Sequence, residues 1–259
     1  MKVYEECRIL NTKELIPGIF ELWFRSPEIS GAALPGQFVA LYCKDGTRLL
    51  PRPISICDVD RENGGVRLVY RVSGKGTSEI SGWKAGDTVT VMGPLGNGYT
   101  DLSRENSVLF GGGIGIPPML LLAKELKKAG KLAGIILGYR DRNTFLLEEF
   151  QELGEVFIST DDGSLGTKGT VLDAFRESGL KAGVLMACGP LPMLRGIREY
   201  AGNAFLPAYI SLEERMACGI GACLGCVTKT KSVDAHSHVN NARICVEGPV
   251  FSAEEVELS

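Results

Sequence analysis

The chain has 259 residues, enough for two domains and a small appendage. Its 28 basic and 31 acidic side chains nearly balance, leaving a net charge of -3, so no basic surface argues for nucleic acid. The segment Met1 to Leu15 carries scattered charges and no apolar core of the kind a signal peptide needs, and the longest apolar stretch, Val108 to Ala123, is too short for a bilayer and is interrupted by four glycines and two prolines, so a soluble cytoplasmic protein is expected.

Residues 1–99 read as an antiparallel β barrel. Short β-rich runs recur at Ile19–Phe24, Gln37–Cys43, Arg52–Val59, Val66–Val72 and Thr88–Met92, separated by turn residues. One helical piece is expected, from Thr77 to Trp83, with Thr77 as its N-cap and Glu79 in its first turn. Gly74 and Gly76 lie at its start, where free backbone N–H groups can meet a pyrophosphate. Cys7, Cys43 and Cys57 sit in apolar runs and are expected to behave as small core residues.

Pro94 to Tyr99 reads as a linker. Residues 100–210 then alternate strand and helix: Ser107–Gly113 with Pro117–Gly130, Ala133–Tyr139 with Phe145–Gly154, Glu155–Thr160 with Val171–Gly179, and Val184–Pro190 with Pro192–Ala201, before a last strand from Ala208. This is the pattern of a doubly wound parallel sheet, whose ligands bind at the carboxyl ends of the strands. Gly111, Gly112, Gly113 and Gly115 occupy one such end, and Cys188, Gly189 and Pro190 another. Neither run matches the GxGxxG fingerprint.

The tail, residues 211–259, carries four cysteines in a metal-ligand pattern. Cys218, Cys223 and Cys226 lie in one glycine-rich loop, and Cys245 follows later in the chain. That spacing is the plant-type pattern for a 2Fe-2S cluster. A structural zinc site instead separates its ligands into two knuckles. Gly219, Gly221 and Gly225 let backbone N–H groups approach the sulfurs. Cys245 must come from a segment that folds back over the loop. His236 and His238 are expected on an exposed hairpin between Cys226 and Cys245, with no ligand role.

Within the barrel, Arg52, Pro53, Ile54 and Ser55 resemble the flavin signature of the ferredoxin-NADP reductase superfamily. That resemblance implies FAD, with Arg52 on its pyrophosphate, Ser55 at the edge of its ring, Val69, Tyr70 and Arg71 as a second contact segment, and Gly76 and Thr77 as a third. Ile54 stands where the superfamily commonly has a ring-stacking tyrosine, and Tyr70 is a candidate for that stack. The GGGIG and CGP runs resemble the superfamily's nicotinamide elements, and Cys188 is not expected to act as a nucleophile. NAD is favoured over NADP because Asp141, Asp161 and Asp162 would oppose a 2'-phosphate that Arg140 and Arg142 could attract. Solvated loop charges are an equal alternative for these residues.

Across its whole length, from RPISI through GPLGNGY, GGGIGIPP and CGPLPML to CVEGPVF, the sequence resembles the electron-transfer subunits of NAD-dependent, class 1B dihydroorotate dehydrogenases. The resemblance implies pyrimidine biosynthesis, an FMN-containing catalytic partner, a heterotetramer of two of each chain, and electrons passing from FMN through the cluster and FAD to NAD+. The alternatives are a flavin and iron-sulfur subunit of a hydrogenase, sulfhydrogenase or ferredoxin:NAD(P) oxidoreductase, and a cluster-bearing redox sensor without turnover.

Overall fold

A computed structural model describes residues 2–233 and 238–258. Six antiparallel strands close a barrel in the order β1-β2-β5-β4-β3-β6, where β1 is Val3–Ile16, β2 Ile19–Arg25, β3 Phe38–Tyr42, β4 Arg52–Asp60, β5 Gly65–Arg71 and β6 Thr88–Leu95. Ile9, Leu22, Phe24, Val39, Leu41, Ile56, Leu68, Val89 and Val91 fill it. Closure removes the exposed strand edges that an open sheet would present.

The longest strand, β1, is absent from the sequence expectations. Its charges, Glu5, Glu6, Arg8, Lys13 and Glu14, mask a pattern in which only Cys7 and Ile9 are fully buried. Past Ile9 it pairs with β2 alone. A second omission is helix α1 (Pro27–Ala32), which begins at Ser26, whose Oγ accepts from the Ile29 N–H at 3.1 Å, with proline at the first helical position.

The expected barrel helix exists as α2 (Lys75–Ser81), but Gly74 is its N-cap, which corrects the placement of Thr77 there. Thr77 stands one turn in. Its Oγ1 reaches back to accept from the N–H groups of Ser73 (2.9 Å) and Gly74 (3.2 Å), so its hydroxyl shapes the turn before the helix.

The second sheet runs β10-β9-β8-β7-β11-β12-β15, where β7 is Ser107–Gly112, β8 Leu132–Tyr139, β9 Val156–Thr160, β10 Thr167–Lys168, β11 Val184–Cys188, β12 Ala208–Ser211 and β15 Val250–Ser252. All neighbours are parallel except β15, which pairs antiparallel with β12. Leu109, Ile135, Leu137, Val184 and Met186 face helices α3 (Pro118–Ala129) and α4 (Leu147–Gln151). Val108, Phe110, Ile136, Leu185 and Ala187 face α5 (Val171–Ser178) and α6 (Leu191–Ala204). Burial on both faces explains why these strands read as continuous apolar runs.

The presumed linker is not a loose tether. Pro94 lies within β6, and Tyr99 is buried, its hydroxyl donating to the Ala187 carbonyl at 2.9 Å. The cysteine-rich tail is likewise anchored at both ends, because Ser211 of β12 is the register partner of Val250 of β15. Between them β13 (Val227–Lys229) and β14 (Asn241–Arg243) form a hairpin. Arg195 and Arg198 of α6 donate to the carbonyls of Leu258 (2.9 Å) and Val256 (3.1 Å), holding the chain end. His238 is exposed at the hairpin tip, and His236 lies outside the described residues. Among the described residues, no helix is long and apolar enough to cross a membrane.

Candidate flavin, nicotinamide and cluster sites

Arg52, Pro53, Ile54 and Ser55 open β4 opposite Leu41, Ala40, Val39 and Phe38 of β3. All four are half-buried, so the strict alternation of a flat strand is lost. The Arg52 guanidinium donates to the Leu50 carbonyl and lies over the start of α2. A Cβ on Gly76 would overlap Arg52 Nε, and only glycine permits this approach. The structure thus joins two of the segments expected to hold flavin, an arginine fork and free helix N–H groups, in a cradle suited to phosphate oxygens.

The second segment enters differently from expectation. Val69 and Tyr70 are 3% and 2% exposed, so neither side chain stands open on the barrel surface. The Tyr70 ring packs inside the barrel on Phe20, with centroids 6.2 Å apart and planes inclined at 24°. The expected aromatic platform is therefore not supplied by Tyr70, and its hydroxyl is buried without a partner among the described residues. Arg71 points outward, and its Nη2 lies 3.7 Å from where a Cβ of Gly113 would stand. The end of β5 and the glycine turn of the second sheet therefore meet.

That turn follows β7 as a single 3-10 turn, Gly113–Gly115, leading into α3. Gly113 has φ +52°, a conformation that favours glycine. A Cβ on Gly115 would strike the Cys188 carbonyl, so the GGGIG turn packs backbone to backbone on the CGP turn. The two strands are register partners at Gly111 and Cys188. The Cys188 thiol is lifted to about 12 by burial, with Glu213 adding to the rise and a hydrogen bond with the Ser211 hydroxyl working against it. At neutral pH it is a thiol and not a thiolate, which accords with no nucleophilic role.

The cysteine loop lies against the barrel end, where a Cβ on Gly219 would meet Leu95 and Met92 at 3.4 Å. Gly219 and Gly221 have φ +69° and +86°, and Leu224 takes the same left-handed region at +56°. The N–H groups of Ile220 and Gly225 point at the sulfurs of Cys218 and Cys223, at 3.5 and 3.4 Å. The fold-back of the fourth cysteine is present: Ile244 N–H donates to the Cys226 carbonyl at 2.9 Å, which sets Cys245 beside Cys226.

Burial works to raise the Cys218 pKa, yet the N–H groups of Ile220, Cys223 and Ala222 and the Cys223 thiol bring it down to about 6. Cys245 moves the other way, to about 12, through burial and its contact with Cys226. The sulfurs thus fall into two pairs, Cys218 with Cys223 and Cys226 with Cys245. Among the described residues, no three His, Cys, Asp or Glu side chains gather around one point as a single metal ion would require. Two cysteine pairs under N–H donors fit a two-iron cluster, in which each iron takes two protein sulfurs.

Sequence reasoning missed the brace of this loop. Glu247 accepts from the Arg243 backbone N–H at 2.7 Å and from its Nε at 3.1 Å, while Arg243 Nη1 donates to the Gly221 carbonyl at 3.3 Å. The signal was an arginine and a glutamate four residues apart around Cys245.

Comparison with known proteins finds relatives of two segments and of the whole chain. Residues 213–257 match the family model "Iron-sulfur cluster binding domain of dihydroorotate dehydrogenase B", and residues 15–99 match "Oxidoreductase FAD-binding domain". The dihydroorotate dehydrogenase B (NAD(+)) electron transfer subunit of Fusobacterium nucleatum is 40% identical over 100% of both chains. The subunit of the same description from Bacillus pumilus is 39% identical over 97% of both. Among solved structures, an NADH-dependent reduced ferredoxin-NADP oxidoreductase superposes with TM-score 0.87 at 32% identity, over 97% of this chain and 90% of that one. A ferredoxin NADP+ reductase from Neisseria gonorrhoeae, at 16% identity and TM-score 0.65 over 77% of this chain and 91% of that one, shares the fold. From its fold, its two matched domains and its full-length relatives, this chain belongs to the dihydroorotate dehydrogenase B electron transfer subunit family.

Proposed function

We propose that this chain passes electrons from the FMN of a catalytic dihydroorotate dehydrogenase subunit, through a 2Fe-2S cluster and FAD, to NAD+ in pyrimidine biosynthesis. The observation that carries this reading is that the glycine turn and the cysteine loop both pack on the barrel. Arg71 reaches the Gly113 turn, and the cysteine loop lies on Leu95 and Met92 of the same barrel. Flavin, when bound, exchanges hydride with a nicotinamide and single electrons with an iron-sulfur cluster.

The residues of the chain bind and orient. Arg52, Pro53, Ile54, Ser55, Gly76 and Thr77 hold FAD, with Val69, Tyr70 and Arg71 as a further contact segment. Gly111, Gly112, Gly113 and Gly115 receive the dinucleotide pyrophosphate, and Cys188, Gly189 and Pro190 flank the nicotinamide. Cys218, Cys223, Cys226 and Cys245 are the cluster ligands. Three functional modules follow, 1–99, 100–210 and 211–259, the last returning one strand to the sheet of the second. The partner carries the dihydroorotate site, in a cytoplasmic heterotetramer of two of each chain.

The chain is to be coexpressed with the catalytic subunit and assayed for orotate formation with NAD+. Cys223→Ser is expected to abolish that activity while NADH still bleaches the flavin in stopped flow. Orotate formation at the unaltered rate would refute the cluster assignment, and absence of NADH bleaching in the unsubstituted protein would refute the flavin and nicotinamide assignments. A second reading, a subunit of a ferredoxin:NAD(P) oxidoreductase, is favoured by the 32% identity to the reductase structure over nearly the whole chain. It predicts ferredoxin reduction in place of orotate formation.

A further inference from the structure

The connection from β3 to β4, residues 43–51, runs beside the cradle of Arg52 and Gly76 and is clasped to α2. Glu79 accepts from the N–H groups of Lys44 at 2.6 Å and Asp45 at 3.4 Å, and it also pairs with Arg48. Arg48 reaches Asp45 at 3.3 Å, and the Thr47 N–H donates to the Asp45 carboxylate at 2.9 Å. At the two ends of the connection, the Cys43 thiol faces the Gly76 carbonyl at 3.9 Å and Arg52 donates to the Leu50 carbonyl. Burial raises the Cys43 thiol, Glu79 adds to the rise, and Arg52 and Arg48 work against it, so both guanidiniums stand close to the start of α2.

Polar contacts hold this connection, yet it carries two bare leucines. Leu49 is 82% exposed and Leu50 54%, and among the described residues they are the only consecutive pair of large apolar side chains left open. Single exposed apolar residues are ordinary on a protein surface. A bare pair fixed at the side of a phosphate cradle has the composition of a ligand pocket, in which apolar side chains cover most of the ligand and a few polar groups fix its orientation. FMN ends at its phosphate, whereas FAD continues through a pyrophosphate into an adenosine.

We propose that Leu49 and Leu50 form an apolar shelf for the adenine of FAD, and that Glu79 holds this shelf in place. The proposal rests on the assignment of the Arg52 and Gly76 cradle to flavin phosphate. With the pyrophosphate at that cradle, the adenosine leaves it beside Leu50, whose carbonyl Arg52 already holds. The faces of adenine are flat and largely apolar, so seating it on two bare leucines removes apolar surface from water on both partners. Glu79 acts through the connection as a positioning residue. Selection of FAD over FMN then lies in residues 43–51, while Arg52 serves both flavins.

The test takes the full chain with its cluster, stripped of flavin, and measures binding of FAD and of FMN by equilibrium dialysis. The unsubstituted chain is expected to prefer FAD by about a hundredfold, and the double variant Leu49→Ser, Leu50→Ser to keep about a tenfold preference or less, with FMN affinity unchanged. Arg52→Ala should weaken both flavins alike. Glu79→Gln should speed tryptic cleavage after Lys44 and Arg48 in the flavin-free chain, and in the unsubstituted chain FAD should slow that cleavage more than FMN does. An unchanged preference in the double leucine variant, or equal affinity for the two flavins in the unsubstituted chain, overturns the proposal and leaves the cradle standing. So does a double variant that keeps FAD and loses copurification with the coexpressed catalytic subunit, which would make the leucines a protein contact. If the unsubstituted chain binds neither flavin, the cradle and the shelf fail together.

Discussion

Single residues act in this protein chiefly by how closely they let backbone approach. Gly76 makes room for the Arg52 guanidinium over the first turn of α2. Arg52→Ala removes the fork and Gly76→Val displaces it, so both are expected to weaken FAD retention by about tenfold, read as flavin absorbance per chain after gel filtration. Equal flavin content in both variants and the parent would move the phosphate contact elsewhere. Cys188 makes a pH prediction. Burial raises its thiol to about 12, so the neutral form persists well above the ordinary cysteine range near ~8.5. Its alkylation rate in the folded protein should keep climbing with pH past ~10, with no plateau. A plateau near the ordinary value would show an unperturbed thiol. The sign also sets stability: the contribution of this buried thiol is complete below the unfolded pKa and is lost as pH rises from there toward the folded one.

At the scale of elements, the cluster loop depends on a brace it does not contain. Glu247 ties Arg243 from both backbone and side chain, and Arg243 holds the Gly221 carbonyl between two of the cysteines. Groups that orient metal ligands without touching the metal commonly govern its retention. Glu247→Gln keeps the shape and removes the charge. It is expected to speed iron loss to a chelator by about tenfold, with flavin content unaffected. Unaltered chelation kinetics would mean that β13 and β14 alone hold the loop. The return of β15 beside β12 explains how a short tail is held at all, since both ends of the loop leave from adjacent strands.

The whole molecule is held in one arrangement by charges that bridge its two large units. Arg67 of β5 donates through Nε to Glu21 of β2 at 2.6 Å and makes a fork on Glu149 of α4, at 2.6 and 2.9 Å. Its guanidinium also sits 5.7 Å from the Trp23 ring centroid. Lys124 of α3 pairs with Asp58, and Arg61 with Glu125 at 3.6 Å. Arg67 and Glu21 are nearly buried, so removing one partner leaves an uncompensated charge out of water. Arg67→Met is expected to cost about 3 kcal/mol, measured as a lower denaturant midpoint, and to slow NADH-to-flavin transfer by letting the glycine turn move off the barrel. Unchanged stability together with unchanged transfer would assign the orientation to apolar packing alone.

Chemistry that rests on local pattern was legible in the sequence. Cysteine spacing depends on one loop, a glycine turn on its own φ and crowding, and apolar runs on burial of one or two faces, so the barrel, the doubly wound sheet and the cluster loop could all be read. Local signals also misled. Thr77 is a good N-cap residue, yet its hydroxyl reaches back to Gly74 from inside the helix, and β1 was hidden by its charges. Tyr70 looked available to a ring and lies in the barrel core. Tertiary structure alone decided what meets what: Arg52 over Gly76, Arg71 at Gly113, Gly115 on Cys188, and Glu247 beneath the cluster loop. These contacts join segments from different elements, and no periodicity within one segment encodes where another will pack.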